Sequence, residues 1–176
     1  VCNARESLWN TRFFVELLRN QKGWSRSEKK QKRDIFKKLH PRKTYILFRF
    51  FGLFGIFNLF TFFVNKRLKS NPNLLLNSLI KDENPDVIIH PSVLRGVYIN
   101  DLIDTGDKMK IPVVVVMNSW DNPCSKRSVV SSNYKLLVWG PQGRAHAERL
   151  MNMRSENIIE FGAAQFDVYK SPSRLS

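Results

Sequence analysis

The sequence predicts an α/β fold, a Rossmann-like parallel sheet with flanking helices, carried by the second half of the chain. Three observations lead there. Ile111-Pro112-Val113-Val114-Val115-Val116-Met117 is apolar without alternation, as expected of a parallel strand covered on both faces. Further short apolar runs stand at 86–90, 135–139 and 157–162, the length of ordinary strands. Segments 93–110 and 141–153 between them fit helices. Strand, helix, strand, loop, strand, helix, strand is the order of a parallel doubly wound sheet.

Taken in turn, Asp86-Val87-Ile88-Ile89-His90 is the first strand, rich in β-branched residues. In the second strand Pro112 fits at the start, where a missing N–H is tolerated. Lys135-Leu136-Leu137-Val138-Trp139 is the third strand, and Asn157-Ile158-Ile159-Glu160-Phe161-Gly162 the fourth.

The first 84 residues follow a different grammar. Leu8, Trp9, Phe13, Leu17 and Leu18 recur at helical spacing and predict a helix over 8–20. Residues 22–43 hold ten Lys or Arg, with Glu28 and Asp34 the only acids. Ser25 or Ser27 can cap a helix there that runs to about Leu39, and Pro41 stops it. Residues 46–64 contain eight of the chain's thirteen phenylalanines. A narrow small-or-polar stripe (Arg49, Gly52, Gly55, Asn58, Thr61, Asn65) runs along that stretch, with basic residues at both ends. Three arrangements fit it: a helix buried against the sheet or another domain, a helix lying in a membrane interface, or a span, for which the length is borderline. The organisation expected is therefore a helical, basic and Phe-rich segment at 1–84, an α/β core at 85–167, and the start of a linker at 168–176.

Charge follows the same division. The chain carries a formal +14. Residues 1–84 hold 18 Lys or Arg against 6 Asp or Glu, whereas 85–167 hold 9 of each. A domain that reads nucleic acid carries its charge on its organised surface; here the charge avoids it, so nucleic acid is not an expected partner, and the basic segment is expected to face an anionic membrane surface or another partner. Two cysteines, Cys2 and Cys124, make neither a disulfide framework nor a zinc cluster. A bridge between these two stays open. With no secretory leader visible, a cytoplasmic location is expected, extending to the inner face of the membrane.

Ligands of open parallel sheets bind beyond the carboxyl ends of the strands. That rule selects His90-Pro91-Ser92, the seventeen-residue loop 118–134, Gly140-Pro141-Gln142-Gly143, and 162–167. His90 suits a general base near neutral pH, or a structural role. Ser92 suits a cleft contact or a helix cap. In the loop, Trp120 offers a stacking face and Asp121 a carboxylate. Asn122 adds a hydrogen-bonding amide, and Ser125, Lys126 and Arg127 offer phosphate or sugar contacts. Gly140 and Gly143 stand where backbone N–H groups at a helix start can meet an anion, and Gln165 follows the last strand. No dinucleotide or Walker glycine loop, metal cluster or nucleophile–base–acid set is present in the sequence, so no tightly bound cofactor is expected.

Pro85-Asp86-Val87-Ile88-Ile89, Ile111-Pro112-Val113, Ser119-Trp120-Asp121-Asn122 with Ser125-Lys126, Leu137-Val138-Trp139-Gly140 and Gly162-Ala163-Ala164-Gln165-Phe166-Asp167 come in an order and spacing that covers about half the chain. Together they resemble the N-terminal Rossmann-like domain of two-domain (GT-B) glycosyltransferase-like proteins of surface and capsular polysaccharide synthesis. These proteins are related to CDP-glycerol glycerophosphotransferases and UDP-N-acetylglucosamine 2-epimerases. The resemblance implies an acceptor-side half, with the Trp120-Asp121-Asn122 loop facing the interdomain cleft. It also implies a C-terminal donor-binding domain of the same protein, so that the chain is a fragment inactive alone. Its co-substrate would be a nucleotide-activated sugar or polyol, its acceptor a glycan, free or lipid-linked. The Phe-rich helix would then approach the membrane. A strand with a glycine turn, which the family has at the start of this domain, is not visible before the helix at 8–20. Sugar epimerisation and a non-catalytic membrane-associated module are the competing functions.

Overall fold

The computed structural model describes residues 2–19, 25–39, 43, 46, 47, 50, 56–92, 94, 98–120, 123, 129–163, 166 and 167. Within these, four helices, α1 (Cys2–Arg19), α2 (Arg26–Leu39), α3 (Phe57–Ser70) and α4 (Leu74–Glu83), precede the sheet. Then follow β1 (Ile88–Ser92), α5 (Ile99–Met109), β2 (Val113–Met117), β3 (Lys135–Val138), α6 (Pro141–Met151), a single 3-10 turn and β4 (Ile158–Glu160). The protein is α/β: all four strands are parallel, in the order β1-β2-β3-β4, and flanked by helices as in Rossmann-like folds.

The strand order runs without reversal. Right-handed crossovers that step in one direction put their helices on one side, and both crossover helices do lie on one face. Ile99 and Ile103 of α5 and Ala147 and Met151 of α6 share a core with Val113, Val115, Met117, Leu136, Val138 and Ile158. Glycines set the spacing. A Cβ on Gly143 of α6 would come within 3.1 Å of Val138 Cβ and 3.3 Å of Met117 Cε. The opposite face is less covered than the unbroken Val113–Val116 run predicts. There, Ile89 and Ile159 are 64% and 46% exposed, and Val114, Val116 and Leu137 are half-buried. A doubly wound sheet needs a strand beyond β1 to reverse the direction, and the described strands include none.

Element boundaries shift for identifiable reasons. β1 starts at Ile88, whose N–H donates to the carbonyl of Pro112 at 3.0 Å, so Asp86 and Val87 precede the ladder. The helix after it begins at Ile99 and not at Val93. Leu94 and Tyr98 have φ of 59° and 73°, a left-handed conformation that a right-handed helix cannot contain. α6 begins with Pro141 at its first position, where the missing N–H costs no hydrogen bond. Gly162, at φ 87°, turns the chain away soon after β4.

Ser25 caps α2 as its sequence suggests: Glu28 N–H donates to Ser25 Oγ (3.2 Å), and Ser25 N–H to Glu28 Oε2 (2.7 Å). This reciprocal pair is a capping box. α1 is longer than its apolar spacing indicates and packs on α3, where Trp9 meets Val64 and Leu68. Of the polar stripe, Thr61 and Asn65 lie half-buried beside that inward face. Leu59, Phe62 and Phe63 point outward and are exposed. Among the described residues no helix is long and apolar enough to cross a membrane. Residues 48, 49 and 51–55 of the Phe-rich stretch lie outside the described residues.

The helical segment is tied to the α/β core. Arg5 of α1 pairs with Asp101 of α5, Thr105 Oγ1 donates to Asn77 Oδ1 of α4 at 2.8 Å, and Arg149 of α6 pairs with Glu28 at 2.8 Å. Burial lowers the pKa of the Arg12 guanidinium, opposed by nearby Glu16 and Asp104; the group lies over the Trp9 ring.

Candidate functional site

The carboxyl edge of the sheet is held together by aromatic side chains. Trp139, the residue after β3, donates its Nε1–H to the carbonyl of Met117, the last residue of β2, at 3.0 Å. Its ring meets that of Phe166 edge to face, centroids 5.6 Å apart, a favoured aromatic geometry. The end of β2 and the segments that follow β3 and β4 therefore meet along one rim. Trp120 stands three residues past β2 and is 50% exposed, so that about half of its indole surface is open to contact.

The loop that carries Trp120 is anchored on both sides. Pro123 and Val129 are buried, Val130 N–H donates to Asn100 Oδ1 at 2.9 Å, and Val130 packs against the Trp9 cluster. Asp121, Asn122, Ser125, Lys126 and Arg127 lie outside the described residues, as does Gln165.

His90 is the third residue of β1, paired in register with Val115, so it sits below the rim and not on it. Ile88 and His90 share a sheet face by alternation, and Ile88 packs against the core on the helix-covered side. His90 Nδ1 is buried without a hydrogen-bond partner among the described residues. Burial lowers its pKa below the ordinary 6.5, an effect partly offset by a backbone hydrogen bond. The imidazole is therefore neutral at pH 7, a form that can accept a proton. Ser92 closes β1, opposite Met117.

Gly140 and Gly143 separate in role. Gly140 caps α6 with no side-chain hydrogen bond and has open space where a Cβ would stand. Gly143 is buried, facing Val138 and Met117, and sets how closely α6 approaches the sheet. Among the described residues no group of three or more His, Cys, Asp or Glu side chains could hold a metal.

A second feature was not singled out by motif. Beyond the end of β1, a cavity of about 340 Å³ opens between α1, the α3–α4 corner and the first turn of α5. Trp9, Pro72, Leu74, Leu75 and Tyr98 form its apolar walls, Glu6, Asn73 and Asn100 add polar lining, and Arg5 and Asp101 form its floor. Asp101 Oδ1 accepts from Arg5 Nε (2.8 Å), Arg5 Nη2 (2.7 Å) and Trp9 Nε1 (2.6 Å), and Oδ2 accepts from Asn73 Nδ2 (3.2 Å). Arg5 Nη1 donates to the carbonyls of Leu68 (2.9 Å) and Asn71. Local signals exist for parts of this. Asn73 ahead of three leucines is an N-cap pattern, and its Oδ1 accepts from Leu76 N–H. Asp101 in the first turn of α5 suits the helix dipole. The pairing of Arg5 with Asp101 across 96 residues has no local signal.

With the fold and this geometry in view, no protein-family model matches the chain, and neither does any curated protein or solved structure with which it was compared.

Proposed function

We propose that the chain is the acceptor-side α/β part of a transferase. The enzyme would move a glycosyl or polyol-phosphate group from a nucleotide-activated donor to a glycan acceptor, free or lipid-linked. The observation that carries the reading is the half-exposed Trp120 just past the carboxyl end of β2, where parallel α/β sheets take their ligands. An exposed indole next to Asp121, Asn122, Ser125, Lys126 and Arg127 combines a stacking face with hydrogen-bonding and cationic groups.

In this reading the acceptor hydroxyl oxygen attacks the donor carbon or phosphorus. Its proton goes to a base, and the nucleotide leaves with the bonding electron pair on its phosphate. Asp121 is the base assigned here. His90, neutral at pH 7 but below the rim, is the second candidate. Lys126 and Arg127 neutralise the departing phosphates. A C-terminal domain of the same protein supplies the donor wall. The test is a transfer assay with the full-length protein, a nucleotide-activated donor and a glycan acceptor. Transfer that survives both Trp120→Ala and Asp121→Asn at the wild-type rate would end this assignment.

Outward-facing Leu59, Phe62 and Phe63 on α3, beside Lys66, Arg67 and Lys69, favour working at an anionic membrane face, or a membrane-associated role without catalysis. Cosedimentation with anionic vesicles measures this directly. Binding unchanged by Phe62→Ser with Phe63→Ser would remove α3 from the contact.

A further inference from the structure

We infer that the cavity beyond β1 binds the hydrocarbon chain of a single-chain anionic amphiphile. This goes beyond the transferase reading and does not depend on it. Its walls are mainly apolar, with Glu6 and Asn100 as polar lining beside them, and the polar floor is largely closed on itself. Asp101 spends both oxygens on Arg5, Trp9 and Asn73, while Arg5 Nη1 spends its donors on the carbonyls of Leu68 and Asn71. Such a floor offers little to a polar ligand end, whereas a hydrocarbon asks nothing of it. The volume of about 340 Å³ holds a chain of ~10 methylene groups at protein packing density.

The mouth has the same character. Leu74 and Leu75, in the first turn of α4, are 73% and 78% exposed, although Ile80 of the same helix is buried. Two adjacent leucines left in water at the rim of an apolar cavity mark a surface that gains from an apolar occupant. On the opposite wall Tyr98 holds φ 73°, which a non-glycine residue adopts only against a steric penalty. Its side chain stands in the cavity wall, and strained residues of this kind cluster at ligand sites. Cations come shortly before the cavity wall in sequence. Lys66, Arg67 and Lys69 occupy the last turns of α3, and Lys69 is three residues ahead of Pro72 in the cavity wall. Lys66 and Lys69 also line a shallow depression with Phe62, Asn65 and Ser70. An acyl or prenyl tail in the cavity would place a phosphate or carboxylate head within reach of these ammonium groups.

The experiment is a fluorescence titration of the full chain with dansyl-undecanoate below its micelle concentration, then displacement by dodecyl phosphate, dodecanol and inorganic phosphate. Saturable binding at one site is expected, displaced by dodecyl phosphate, less well by dodecanol and not by inorganic phosphate. Leu74→Gln with Leu75→Gln, both exposed, should weaken binding about tenfold or more without changing the circular dichroism. Tyr98→Gly removes one wall while accommodating the positive φ, so it should also weaken binding, and it decides the matter if the leucine variant fails to fold. Absence of saturable binding to the folded protein, or equal affinity in Tyr98→Gly and wild type, would overturn the site. Displacement by inorganic phosphate alone would show a head-group site and sink the chain-binding assignment. Lys66→Glu with Lys69→Glu should erase the preference for dodecyl phosphate over dodecanol; a preserved preference would overturn the anionic head. Absence of transfer by the wild-type full-length protein, with chain binding intact, would count against the transferase reading alone.

Discussion

Arg5 and Asp101, 96 residues apart in sequence, meet in a buried ion pair at 2.7 Å that joins the first helix to the helix between β1 and β2. The same carboxylate oxygen takes the Trp9 indole proton, and the other oxygen takes the Asn73 amide. One side chain thus gathers α1, the α3–α4 corner and α5. Removing one partner of a buried pair strands the other charge at roughly 3–5 kcal/mol, whereas replacing both with apolar groups costs far less. We therefore expect Asp101→Leu to lower the stability seen in urea unfolding by that order. Adding Arg5→Met should recover a large part of it, though Trp9 keeps its lost acceptor. A double variant less stable than Asp101→Leu alone would show the pair to be unimportant.

The three core-facing or capping glycines should rank by what a Cβ would meet. At Gly106 it would strike the backbone carbonyl of Ile111 at 2.9 Å, which cannot move aside. At Gly143 it meets Val138 and the flexible end of Met117, and at Gly140 nothing. Substitution by alanine should cost about 2–3 kcal/mol at Gly106 and ~1–2 at Gly143, part of the strain being offset by helix propensity. At Gly140 the cost should be about 0.5. Thermal or urea melts of the three variants check the order; a Gly140 variant as damaged as Gly106 would contradict it.

These positions also show what could be read from sequence. The parallel sheet was legible because Val113–Val116 and the runs around Ile88, Leu136 and Ile158 are separated by segments of the right length for crossovers. The placing of both described crossover helices on one face was not. Strand order decides which face the helices take, and a list of strands does not contain it. The α5 start was hidden because the left-handed backbone at Leu94 and Tyr98 has no signature in those residue types. That Trp120 stands just past the carboxyl end of β2 was legible from the strand's place in the sequence. The Arg5–Asp101 cavity was not, since it is assembled from three helices and the α3–α4 corner and depends on tertiary pairing.

His90 gives a pH signature. Its folded-state pKa is depressed by burial, so below the ordinary value of 6.5 the unfolded chain binds the proton more readily than the native protein. Stability is then full above about pH 6.5 and falls as pH drops through the folded-state pKa. His90→Phe should remove that share of the acid sensitivity. The measurement is the difference in unfolding free energy between wild type and variant from pH 7.5 to pH 5. It should shift toward the variant as pH falls; a constant difference would mean that the imidazole titrates alike in both states.

The sharpest prediction concerns the loop after β2. Asp121→Asn keeps the shape of the side chain and removes its ability to take a proton, so a general base there should show a loss on the order of 10²- to 10⁴-fold in turnover, with the melting temperature nearly unchanged. If the carboxylate instead binds backbone N–H groups of its own loop, the variant should lose stability and keep its turnover once folded. Trp120→Ala removes a half-exposed ring. It should raise KM for the acceptor more than it lowers kcat, because stacking acts on bound substrate and transition state alike. Lys126→Met should weaken donor binding less than Asp121→Asn slows transfer, since Arg127 next to it can meet the same phosphates. The pH profile separates the two carboxylate roles. With Asp121 as base, wild-type kcat/KM has an acidic limb that Asp121→Asn abolishes, leaving a slow, flat rate. An acidic limb that survives in Asp121→Asn and vanishes in His90→Phe would move the base to β1, despite its place below the rim.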